Sequence, residues 1–172
     1  EAFMDAIVGE PDSLISSDLE GVLVIRSLTK TWGLAGLRAG YVVGDPALLA
    51  LLAEQQPHWS VSSLAARASV AVCAPAARAE EADLAREAAG WRRHLVRGLQ
   101  ALGLDPVAGA APFVLVRVGP GIHTVLRERG YAVRRGDSFP GLGTDWVRIA
   151  VRDPHTTDGL LRELQSVLGG TA

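Results

Sequence analysis

Across residues 78–102 the apolar side chains Leu84, Ala88, Trp91, Leu95, Leu99 and Leu102 recur at steps of four, three, four, four and three. That rhythm marks one stripe of a long helix. Glu80, Glu81, Asp83, Arg86, Arg92, Arg93 and Arg97 fall on the other faces and read as a solvated surface, with Gly103 as a stop. A helix with a single apolar stripe must bury it against other elements, and the chain supplies short apolar, partly β-branched runs on both sides. Residues 22–28, 37–44, 113–118, 131–135 and 146–152 read as strands. Residues 47–56, 62–73, 122–129 and 157–168 read as helices, the first opened by Asp45-Pro46 and the last capped by Thr156 or Thr157. The mixture predicts an α/β fold. Pro75 stops the second helix and puts a boundary between structural units there, giving 1–75 and 76–172.

The length, 172 residues, suits one domain or a domain and a half. Hydrophobic residues at 48% and charged residues at 21% describe a globular chain rather than a disordered one. The net charge of −2 leaves no basic footprint for nucleic acid, and every apolar run is broken before it could span a membrane. One cysteine, Cys73, forms no internal disulfide, and no signal peptide is visible, so the expected setting is cytoplasmic. Four histidines, His58, His94, His123 and His155, show no close pair at metal-ligand spacing, so no metal is expected.

The basic residues are unevenly divided: 16 are arginine and one, Lys30, is lysine. A guanidinium replaces an ammonium as a surface charge but not as the amine of a Schiff base, which makes Lys30 a candidate nucleophile. Its surroundings strengthen the case. Ser27 and Thr29 flank it at the end of a buried strand, and Arg38 stands eight positions on, where the next strand begins. Two hydroxyls and a guanidinium can cradle a phosphate, and an amine beside them would reach whatever the phosphate anchors. Pyridoxal phosphate needs both an anchored phosphate and an amine for its aldehyde.

The segment Ser27-Leu28-Thr29-Lys30, with Arg38-Ala39-Gly40 beyond it, resembles the lysine signature of class I/II pyridoxal-phosphate enzymes of fold type I. The resemblance implies that Lys30 condenses with the cofactor aldehyde and then serves as the proton-transfer base. It also implies that Ser27, Thr29 and Arg38 hold the cofactor phosphate. Glu1-Ala2-Phe3 looks like the end of the family's Asp-Glu-Ala-Tyr/Phe segment, without the aspartate that pairs with the pyridine nitrogen. The expectation is therefore the C-terminal half of a protein about twice as long: residues 1–75 ending the large domain and 76–172 forming a small α+β domain. Such a half should bind the cofactor weakly or not at all alone, and the complete protein should be a homodimer.

Trp146-Val147-Arg148-Ile149-Ala150 resembles the strand whose arginine binds the substrate carboxylate, which is Arg148 here. Arg134 resembles a second arginine that takes the substrate phosphate. Arg135, the strand neighbour of Arg134, points the other way, and Arg135 and Arg152 read as surface charges. Ser138-Phe139-Pro140-Gly141-Leu142 looks closest to the threonine-phosphate decarboxylase branch of the cobalamin pathway, and Pro57-His58-Trp59-Ser60 resembles a segment of the same relatives that borders the site. The resemblance thus implies a small phosphorylated amino acid or amine as substrate. Histidinol-phosphate transamination with 2-oxoglutarate, or a non-catalytic sensor domain of a regulator, are the alternatives.

Overall fold

The computed structural model describes residues 1–169. Its elements are five short strands and five α-helices. They run β1 (Leu23–Ser27), β2 (Gly40–Gly44), α1 (Pro46–Gln55), α2 (Ser63–Val72), α3 (Pro75–Ala101), β3 (Phe113–Arg117), α4 (Ile122–Glu128), β4 (Arg134–Arg135), β5 (Trp146–Ala150) and α5 (Pro154–Gly169). They form two compact units, residues 1–86 and 87 onward, and the division falls inside the continuous helix α3.

In the first unit β1 and β2 pair antiparallel, with Arg26 opposite Tyr41 and Ser27 opposite Gly40. Gly40 is required there: a Cβ would lie 2.6 Å from the Arg26 carbonyl oxygen. Alternation along β1 buries Val24 and Arg26 and leaves Ile25 64% exposed. Asp45 caps α1, its carboxylate accepting from the Ala47 amide at 2.7 Å, with Pro46 in the first turn as the sequence predicts. Ser62 does the same for α2 through the Ala65 amide at 3.1 Å. Few large apolar side chains are buried in this unit; Val24 and Val72 are the largest, beside Ala39, Ala65 and Ala85.

The second unit has the better core. β5 lies between β3 and β4, antiparallel to both. Its inward residues Val147 and Ile149 meet Val114 and Val116 of β3, Leu95 and Leu99 of α3, and Leu160 and Leu164 of α5. The stripe read from the sequence is thus the buried face of α3 in this unit, where Leu99 is fully enclosed.

Several boundaries differ from the sequence reading, α3 among them, which begins at Pro75. The second strand begins at Gly40, because Ala35–Leu37 form a 3-10 turn and Arg38 turns left-handed, φ 54°. Of the expected strand 131–135 only Arg134 and Arg135 reach the ladder, while Tyr131 and Val133 pack on the core instead. The last helix starts at Pro154, and its first turn is held by Asp153, which accepts from the Thr156 amide at 3.0 Å and the Thr156 hydroxyl at 2.7 Å. Thr156 is therefore a donor to the cap, and Thr157 is buried with its hydroxyl on the Arg152 carbonyl.

Candidate active site

The end of β1 presents the hydroxyl pair the sequence singled out. Ser27 Oγ and Thr29 Oγ1 lie 2.8 Å apart, and Thr29 is buried. One O–H serves their mutual bond, which leaves the other to donate outward. Lys30 follows, exposed, in a turn closed by the Gly33 amide on the Lys30 carbonyl at 3.3 Å; Gly33 takes φ 63°, which its lack of a Cβ permits. Lys30 Nζ stands 5.5 Å from the Phe3 ring centroid and has no carboxylate partner among the described residues. Arg38 is exposed, and its guanidinium donates to the Ala35 carbonyl at 3.3 Å rather than to either hydroxyl.

Beneath this strand end lies a charged layer that the sequence reading did not single out. Arg26 is 7% exposed, with Nε 3.1 Å from a Glu1 carboxylate oxygen and Nη2 donating both to Glu10 and to Ser13 Oγ, the latter at 3.0 Å. Burial works against its charge, but Glu10, Tyr41 and Glu1 outweigh it and raise the pKa further. Asp5 and Glu81 face the residues just after Lys30. Burial pushes both carboxyls above their ordinary range, although the Thr31 hydroxyl favours ionised Asp5, and the Arg78 charge and the Trp32 ring N–H favour ionised Glu81. Thr31 Oγ1 and Trp32 Nε1 are enclosed without a partner at full hydrogen-bond geometry. The sequence signal for this layer is an arginine on the inward alternation of a β-branched run; its carboxylate partners are remote along the chain.

The second unit holds the arginine pair. Arg134 of β4 and Arg148 of β5 are direct cross-strand partners, so both side chains leave the same face. Arg148 is half-buried, 4.7 Å from the Phe113 ring centroid and 5.7 Å from that of Phe139; Arg134 lies 4.5 Å from Phe139. Burial and the neighbouring Arg134 charge lower the Arg148 pKa. Among the described residues neither has a carboxylate partner, whereas the adjacent Arg135 pairs with Asp137 at 2.9 Å. Two guanidiniums opposite one another, with no carboxylate partner among the described residues, can receive an anion. Trp59, by contrast, is 98% exposed with φ 58°, and His58 is exposed beside it.

No group of three or more metal-ligating side chains occurs among the described residues, and none of their helices is long and apolar enough to cross a membrane.

The donors at the end of β1 suit a phosphate, and an amine without a carboxylate partner among the described residues follows them. The family model for class I and II aminotransferases matches residues 1–168. The chain belongs to that family, whose enzymes depend on pyridoxal phosphate, and it has fold type I. A histidinol-phosphate aminotransferase of Mycobacterium tuberculosis is 48% identical over 154 residues, covering 88% of this chain and 42% of its own. A threonine-phosphate decarboxylase of Salmonella typhimurium is 33% identical over 184 residues, covering 100% of this chain and 48% of its own. A crystal structure of an aminotransferase from Burkholderia pseudomallei superposes with a TM-score of 0.78 at 30% identity, over 98% of this chain and 51% of that one. The chain thus spans less than half the length of these curated relatives.

Proposed function

We propose that the protein carrying these residues is a pyridoxal-phosphate enzyme acting on a small phosphorylated amino acid, in the manner of a threonine-phosphate decarboxylase. In this reading residues 1–75 complete the large, cofactor-binding domain and 76–172 form the small one. Ser27, Thr29 and Arg38 hold the cofactor phosphate, and Lys30 Nζ carries the cofactor and moves a proton at the substrate α-carbon. The bound cofactor supplies an electron sink for charge developing at that carbon. Arg148 takes the substrate carboxylate and Arg134 its phosphate, fixing the α-carbon for reaction. The complete enzyme works as a homodimer in the cytoplasm, within cobalamin synthesis.

The observation that carries this reading is the cross-strand pair Arg134–Arg148, which has no carboxylate partner among the described residues. It suits a molecule bearing two anionic groups, as threonine phosphate does. The 48% identity to a histidinol-phosphate aminotransferase favours a second reading, transamination, in which the two arginines serve a phosphorylated amine and a dicarboxylate by turns. A substrate assay on the complete enzyme separates them. Carbon dioxide released from threonine phosphate supports decarboxylation; amino transfer from histidinol phosphate to 2-oxoglutarate, without carbon dioxide, supports the second reading.

A further inference from the structure

Phe139 lies in the loop between β4 and β5, outside the strands that carry the arginines, yet its ring meets both guanidiniums, Arg134 at 4.5 Å and Arg148 at 5.7 Å from the centroid. The loop is fixed on each side of it. The Phe139 amide donates to the Gly136 carbonyl at 2.8 Å, and its own carbonyl accepts from Leu142 at 3.1 Å. Ser138 Oγ accepts from Arg134 Nε at 3.4 Å and donates to the Arg135 carbonyl at 3.0 Å.

Like charges placed directly opposite on a sheet repel. A carboxylate between them would remove the repulsion, but it would also neutralise the site and compete with an incoming anion. An aromatic ring attracts both cations through its quadrupole and leaves their charge and their donors available. We propose that Phe139 is a positioning residue: one ring holds Arg134 and Arg148 at the separation that receives the two anionic groups of a single substrate. This rests on the proposed role of the two arginines in binding substrate.

The test is calorimetric titration of the full chain with two probes, O-phospho-L-threonine, which carries both anionic groups, and inorganic phosphate, which carries one. Phe139→Leu keeps apolar bulk and removes the ring; Phe139→Tyr keeps the ring. The Leu variant is expected to bind phosphothreonine about tenfold more weakly and inorganic phosphate within about twofold of wild type, and the Tyr variant to restore phosphothreonine binding. Unchanged phosphothreonine affinity in the Leu variant, or equal loss in the Leu and Tyr variants, overturns the role of the ring. Arg134→Gln and Arg148→Gln are measured alongside. If they lower phosphothreonine affinity while Phe139→Leu does not, the role of Phe139 fails alone; if they leave it unchanged, the arginine reading fails and this role with it.

Discussion

Arg38 holds a left-handed backbone, φ 54°, that costs an arginine about 1 kcal/mol or more and a glycine little. Strain of this kind persists where a side chain is needed at that place. Arg38→Gly is therefore expected to leave stability unchanged or raise it by up to about 1 kcal/mol while weakening pyridoxal phosphate binding; urea unfolding and cofactor titration on one preparation test both. Asp5 makes a second case. Its folded pKa is raised from 3.8 by burial, so its contribution to stability is full below the ordinary value and is lost as pH rises through the folded one. Thermal melts from about pH 4 to 7 should show wild type losing stability relative to Asp5→Asn as pH increases; a constant difference would contradict the burial of this carboxyl. Lys30 stands out in the sequence by its solitude among sixteen arginines, and the hydroxyl pair by its place just before it. Asp5 and Glu10 do not, because they meet Thr31 and Arg26 only after the chain folds back; Glu81 pairs locally with Arg78, and it is its burial that the sequence does not show.

Elements were legible where one physical signal acts alone. The cap of α1 follows from local hydrogen bonding and stands as read. The stripe of α3 holds from Ala88 to Leu102, but in the first turns Leu84 is exposed and Glu81, read as solvated, is buried with Ala85. β4 shows the opposite case. Its run of residues suits a strand, but a strand needs a partner, and β5 offers one only opposite Arg134 and Arg135. What seats the chain just beyond β4 is Gly136, where a Cβ would lie 2.4 Å from Trp146 Cβ and 2.7 Å from the Trp146 carbonyl. These are rigid neighbours, so Gly136→Ala should push the β4 segment off β5, cost about 1–3 kcal/mol, and weaken phosphothreonine binding through Arg134. Urea unfolding and the same titration check it. Wild-type values for both would show that the close approach is not needed.

The two units differ in how much apolar surface they enclose. The second buries four leucines at 1% exposure or less, Leu95, Leu99, Leu126 and Leu164, each contributing roughly 1.5–3 kcal/mol by burial. The first rests on a two-stranded sheet with Ile25, Tyr41 and Val42 exposed, and a lone antiparallel pair is marginal in water. Amide exchange in the 172-residue chain should therefore find strong protection in β3, β5 and α5 and little in β1 and β2. Equal protection would mean that burial does not set local stability here. The proposed catalytic role depends on the less enclosed unit, since Lys30 and the hydroxyl pair are there. The most direct test of that role is borohydride reduction with pyridoxal phosphate of the longest natural polypeptide containing this chain, followed by peptide mass analysis. One pyridoxyl group on the peptide holding Lys30 is the predicted result. Stoichiometric labelling of another amine, with Lys30 unmodified, would contradict it.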